Sequence, residues 1–161
     1  MGSKAESGLY EINIDGTGFR GLGEYLGRPV YSSDGKNIYG NYFSSEVIKI
    51  NLDTLEKAVV AKFPFEVFEE VVSGDSKKIA FISVPKEYQS TGGEYQYQIF
   101  ISDVDGSNIK QLTSDPGPKH QPTFTSDGLK IIFIHKVDDN RSIKIMNIDG
   151  SGVKLIFKED K

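Results

Sequence analysis

The chain has 161 residues, with 19 Lys and Arg against 23 Asp and Glu, for a formal charge of −4 that is spread evenly along it. That balance offers no basic face for nucleic acid, and the absence of cysteine excludes disulfides, thiolate metal sites and cysteine nucleophiles. No stretch approaches the roughly 18 consecutive apolar residues of a membrane-spanning helix, so membrane insertion is not expected.

In chain order, Met1-Gly-Ser-Lys-Ala-Glu-Ser7 reads as an initiator followed by a polar leader or tag, and residues 8–161 as a single domain. The first strands fall at 9–15 and 18–22, around the turn in Tyr10-Glu-Ile-Asn-Ile-Asp-Gly-Thr-Gly18. A second kind of element follows, Pro29-Val-Tyr-Ser-Ser-Asp-Gly-Lys-Asn-Ile-Tyr39, and then a degraded copy of the first, Ile48-Lys-Ile-Asn-Leu-Asp-Thr-Leu55. The pair recurs as Val71-Val-Ser-Gly-Asp-Ser-Lys-Lys-Ile-Ala-Phe81 with Phe100-Ile-Ser-Asp-Val-Asp-Gly-Ser-Asn108. It recurs again as Pro122-Thr-Phe-Thr-Ser-Asp-Gly-Leu-Lys-Ile-Ile-Phe133 with Ile145-Met-Asn-Ile-Asp-Gly-Ser-Gly152. Alternating Val, Ile, Phe and Tyr in short runs is strand composition, and Asp-Gly supplies the positive φ that tight hairpins need.

Self-similarity at a period near forty residues means stacked supersecondary units, and four short strands per unit means propeller blades. The fold class expected is therefore all-β, a partial β-propeller of about three and a half four-stranded antiparallel blades. The half blade spans 8–23 and the full blades 28–62, 69–113 and 121–157. The turn aspartates Asp15, Asp53, Asp105 and Asp149 are 38, 52 and 44 residues apart. The long interval locates an insertion at 84–97, between the second and third strands of its blade. Tyr31, Phe81, Phe124 and Phe133 are expected to be buried between blades.

These paired elements resemble the WD40-like (PD40) repeat of TolB-like β-propellers. Pro122, Phe124, Ser126, Asp127, Gly128, Ile131 and Phe133 carry the first half of the resemblance. Ile99, Ile101, Asp105, Gly106, Ser107, Leu112 and Thr113 carry the second. The middle repeat departs from the pattern, with Gly74-Asp75-Ser76 replacing Ser-Asp-Gly and Val72 replacing the aromatic. The resemblance implies blades running from an inner to an outer strand and a periplasmic or extracytoplasmic setting. Such repeats also accompany prolyl-oligopeptidase-like hydrolases, so they specify fold better than activity.

Several motifs have simpler readings than their chemistry suggests. Gly16-Thr-Gly-Phe-Arg-Gly21 satisfies G-x-G-x-x-G, yet it links two strands where a dinucleotide loop must open a helix. Asp103-Val-Asp105-Gly-Ser-Asn108 has a calcium-loop flavour, but the twelfth position, which should close the loop with Glu, is Ser114. His120 and His135 are the only histidines, with no third ligand pattern and no G-x-S-x-G elbow nearby. Neither a catalytic residue, a metal nor a cofactor is therefore assigned. His135 is expected at a strand end and His120 in the preceding connection.

The insertion Val84-Pro-Lys-Glu-Tyr-Gln-Ser-Thr-Gly-Gly-Glu-Tyr-Gln-Tyr97 should emerge on the rim that also carries the connections between blades. Tyr88 and Tyr95 would share it with Arg28, Glu69, Glu70, Lys119, His120 and His135. These eight are the candidate binding residues, since exposed tyrosines combine contact area with a polar handle.

The expected function is a non-enzymatic scaffold that binds a protein or peptide by this rim. The alternative is the propeller portion of a prolyl-oligopeptidase-like hydrolase or a lyase. Ile12, Ile14, Ile143, Ile145 and Ile156 would leave apolar surface on the end blades. The stack should accordingly belong to a longer propeller or associate with itself.

Overall fold

The computed structural model describes residues 8–23, 25–41, 45–86, 96–138 and 140–159. Among these residues fourteen strands fall into one two-stranded sheet and three four-stranded sheets, all antiparallel, with no α-helix. The two-stranded sheet pairs β1 (Leu9–Glu11) with β2 (Arg20–Gly23). The first full blade is β3 (Gly27–Tyr31), β4 (Asn37–Asn41), β5 (Glu46–Asn51) and β6 (Lys57–Lys62). The second is β7 (Phe68–Val72), β8 (Lys78–Ser83), β9 (Gln98–Asp103) and β10 (Lys110–Gln111). The third is β11 (Lys119–Phe124), β12 (Lys130–Val137), β13 (Asn140–Asn147) and β14 (Lys154–Lys158). Within each sheet the strands lie in chain order, the meander of a propeller blade.

Strand alternation divides each blade's apolar residues between two neighbours. On β8, Ile79 and Phe81 face the first blade, where Tyr39, Val47 and Ala61 meet them. The intervening Ala80 and Ile82 face the third blade, against Ile131, Phe133 and Met146. A smaller cluster of Leu9, Leu22, Leu26, Ile38, Ile50 and Leu52 joins the two-stranded sheet to the first blade. A one-residue slip in any of these strands would exchange the two sets, so the packing fixes register.

The turns carry the repeat. In the first kind, Asp34 Oδ1 accepts the Ser32 hydroxyl and the Lys36 N–H, and the same bonds recur at Asp75 and Asp127. Gly35 and Gly128 take the left-handed conformation there, and in the divergent middle repeat Ser76 is held at φ 57° instead. In the second kind, Gly106 has φ 81°, and a Cβ on it would lie 3.2 Å from the Cβ of Ala61. The hairpin tip of one blade thus seats directly on the outermost strand of the blade before it.

The aromatic expectation holds at Phe81 and Phe133, which are fully buried, and at Phe124, which is half-buried against the same cluster as Phe133. It fails at Tyr31, which is 50% exposed. The reason is local: the sheet preceding the first blade has two strands, so nothing equivalent to a preceding inner strand covers the ring. Tyr31 instead donates its hydroxyl to Glu11 Oε1 at 3.2 Å. At the two ends of the stack Ile12, Ile14, Ile143 and Ile156 are exposed and Ile145 is partly covered.

Candidate functional site

The innermost strand of each full blade contains the same irregularity. Register shifts occur between Gly27 and Val30, between Phe68 and Val71, and between His120 and Thr123. Within each bulge one non-glycine residue adopts positive φ: Arg28 at 46°, Glu69 at 51° and Gln121 at 51°. Each lies six residues before its turn aspartate, Asp34, Asp75 or Asp127. Bulges re-aim side chains out of the pleat, and here they turn three successive residues toward one another. Arg28 Nη2 donates to Glu69 Oε1 at 3.2 Å, and the Gln121 N–H donates to Glu69 Oε2. One carboxylate thereby ties together the inner strands of all three full blades.

Beside this chain lies a cleft of about 630 Å³ between the first and second blades, lined by Tyr25, Arg28, Asn41, Glu66, Phe68, Glu69 and Glu70. Glu70 is only 4% exposed. Its Oε2 accepts from Asn41 Nδ2 at 2.7 Å, while its Oε1 has no hydrogen-bond partner among the described residues. Burial raises its pKa to about 7, outweighing the opposing field of Arg28. The first and third blades place Pro29 and Pro122 at this position of the repeat, five residues before the turn aspartate. Only the middle blade has a carboxylate there.

The remaining candidates gather between the second and third blades. Lys119 is fully buried, its ammonium donating to the carbonyls of Asp115 and Gly117 and lying 3.0 Å from Asp115 Oδ1. His135, paired with Lys119 across β11 and β12, is also buried, with Nε2 2.8 Å from the Pro116 carbonyl. Burial lowers the pKa of both groups, which disfavours their charged forms. Neutral His135 then donates from Nε2 to Pro116, leaving buried Nδ1 without a partner among the described residues. Gly117 makes this tight loop possible, since at φ 91° a Cβ would come 2.3 Å from the Lys136 carbonyl.

His120 lies within β11, not in the connection before it, because β11 begins at Lys119. Its ring meets Tyr97 edge-on at 5.9 Å, and Tyr97 meets Phe68 edge-on at 5.6 Å. This aromatic row runs along the rim from the cleft toward the third blade. Tyr88 and Tyr95 lie outside the described residues. The structure therefore brings Arg28, Glu69 and Glu70 into one cleft, while Lys119 and His135 form a separate, enclosed cluster with His120 beside it. Sequence reasoning missed Asn41, which positions Glu70, and Asp115, the hub of the second cluster. No group of three or more His, Asp or Glu side chains suited to a metal occurs among the described residues.

No family model matches the chain. The Tol-Pal system protein TolB of Sodalis glossinidius is 25% identical to it over 68 residues, 42% of this chain and 16% of that protein. Among solved structures, a putative TolB from Agrobacterium tumefaciens superposes with a TM-score of 0.69 at 22% identity, covering 92% of this chain and 56% of that one. An oligogalacturonate lyase from Vibrio parahaemolyticus gives a TM-score of 0.69 at 19% identity, covering 90% of this chain and 44% of that one. The chain thus spans about one-sixth of the curated TolB it matches and about half of these two solved chains. At such identities the likeness to solved structures concerns fold, and a lyase and a TolB share it equally. The repeat, the blade order and these likenesses give the chain the fold of a TolB-like β-propeller.

Proposed function

We propose that the chain is a non-enzymatic binding scaffold that takes a protein or peptide segment along one propeller rim. The observation that carries this reading is the cleft between the first and second blades. It joins a buried carboxyl with one unpartnered oxygen, an ion pair and two aromatic rings in about 630 Å³. Apolar walls with a few convergent polar groups are the usual makeup of a recognition site. Phe68, Tyr97 and His120 extend an aromatic surface from that cleft, long enough to accompany an extended chain. Lys119 and His135, being enclosed, support the rim in this reading, and Tyr88 and Tyr95 would add contacts from the insertion.

The lyase likeness does not favour an enzymatic alternative, because it rests on fold alone. An extracytoplasmic location accompanies the TolB likeness as part of the same proposal. So does association through the exposed Ile12, Ile14, Ile143 and Ile156, which a second copy or further blades would cover.

Selection of a displayed random-peptide library on the protein tests the binding role. Enriched peptides should compete with one another and lose affinity for Phe68→Ser, a partly exposed position whose change leaves the core intact. Absence of enrichment, or peptides indifferent to Phe68→Ser, would contradict it.

A further inference from the structure

The cleft is uneven in charge. Glu66, Glu69 and Glu70 line it with a single cation, Arg28, and Arg28 is already committed to Glu69. Both oxygens of Glu69 are occupied, one by Arg28 and the other by the Gln121 N–H. Glu70 Oε1, by contrast, is a buried acceptor without a hydrogen-bond partner among the described residues. A buried carboxyl missing a hydrogen bond is costly, and a buried carboxylate lacking a counter-charge is more so. A ligand that supplies both a donor and a positive charge relieves both deficits, whereas an anion would meet three carboxylates. Phe68, 37% exposed, and Tyr25, 46% exposed, add apolar surface suited to an aliphatic stem and a π-face suited to a cation.

We propose that the cleft is a socket for a basic side chain, a lysine or arginine of the bound peptide, whose cationic head pairs with the Glu70 carboxyl, the Glu70 side chain turning toward the cleft, while the ligand's stem lies along Phe68. This inference rests on the reading of the rim as a peptide-binding surface and assigns the chemistry of one position in that peptide. Groups that act on Glu70 are Arg28 from β3, Asn41 from β4 and Glu69 from its own strand; Glu66 and Tyr25 line the same cleft from the connections, and β11, packed against β7, carries Lys119 and His120. Asn41 holds Oε2 and leaves Oε1 without a partner among the described residues.

Glu70 must be ionised to hold the cation, so binding should release a proton at neutral pH. With the free group titrating at about 7, about nine-tenths is ionised at pH 8 and about one-tenth at pH 6, so affinity should fall about tenfold between them. A neutral hydroxyl or carbonyl ligand, recognised by the protonated carboxyl, would show the opposite trend.

The test uses the full chain and three probes: acetyl-Gly-Gly-Lys-Gly-Gly-amide, the same peptide with norleucine for lysine, and n-butylammonium alone. Binding is read from chemical shifts of the Asn41 side-chain amide. At pH 8 the lysine peptide should bind about tenfold or more tightly than the norleucine peptide, because a charge-assisted bond to a desolvated carboxylate is among the stronger ones. That preference should shrink at pH 6 and vanish in Glu70→Gln. The pH arm uses the unaltered protein and decides the matter if the variant does not fold. Equal binding of both peptides would overturn the socket and leave the peptide-binding rim standing. Butylammonium binding that needs Glu70, with neither peptide bound, would support the socket and contradict the rim. If none of the probes binds, both fall.

Discussion

Two clusters of ionisable side chains lie along this propeller, and they differ in how they are closed. Around Asp115 the polar groups are satisfied: the Lys119 ammonium has a carboxylate and two carbonyls, and the single orphan is a neutral ring nitrogen of His135. Around Glu70 the orphan is a buried carboxyl oxygen on a residue that lines a cleft. A neutral nitrogen left without a donor costs far less than a carboxylate in the same position. Equivalent parts of adjacent blades have thus been used differently. The inner strand of the third blade anchors its own preceding loop through Lys119, while that of the second holds a buried charge-bearing group with one oxygen unpartnered. The first cluster reads as a support and the second as a site.

The enclosed cluster rests on the interface that holds Phe133, two residues before His135 on β12. Phe133→Ala should cost about 3–5 kcal/mol in denaturant unfolding, the usual range for a fully buried phenylalanine. A cost near zero would mean that the register pairing Lys119 with His135 is wrong.

Glu70 should make stability fall as pH rises. Its folded-state pKa of about 7 lies above the ordinary value of 4.5, so the folded protein holds the proton more tightly than the unfolded chain does. Its contribution is intact below about 4.5, declines as pH rises toward 7, and by pH 8 the loss is about 3 kcal/mol from a shift of that size. Glu70→Gln should remove this decline and be more stable than the unaltered protein at pH 8. His135 works in the opposite sense. Its pKa is lowered on folding, so its contribution is present above about 6.5 and is lost as pH falls. A stability profile that Glu70→Gln leaves unchanged would erase the distinction between the clusters.

Lys119→Ala should be destabilising by about 2–3 kcal/mol, below the usual figure for a broken buried pair because half-exposed Asp115 regains water. The loss should appear as early opening of the loop at 115–118 in hydrogen exchange. Arg28→Ala, at a half-exposed ion pair, should cost under about 1 kcal/mol in global stability. It should nevertheless raise the pKa of Glu70 further, since the Arg28 charge holds it down. An effect of Arg28→Ala as large as that of Lys119→Ala would put both clusters in the same structural role.

The blades were legible because their determinants are local. Asp34, Asp75 and Asp127 each close a turn by bonds reaching two residues either way, and the alternation of Ile79, Ala80, Phe81 and Ile82 follows from the pleat. The burial of Tyr31 was misjudged because it depends on how many strands the neighbouring sheet has. In the site, Arg28, Glu69 and Glu70 stand out as charged residues near a rim, but their convergence depends on the bulges at Gly27, Phe68 and His120. No residue type announces those bulges. The exception is Glu70 itself: aligning the repeats on their turn aspartates sets it against Pro29 and Pro122, and a carboxylate in a proline column is a visible anomaly. Asn41 and Asp115 carry no comparable signal, since their partners come from other strands and loops.

Glu70 is held beside the cleft with one oxygen unmatched. Carbon-13 NMR titration of the Glu70 side-chain carboxyl in the full chain, assigned through Glu70→Gln, measures this most directly. The expected midpoint is near 7 and moves down when butylammonium is added, because the cation favours the ionised form. A midpoint near 4.5, unmoved by the amine, would show a solvated carboxylate and would contradict it.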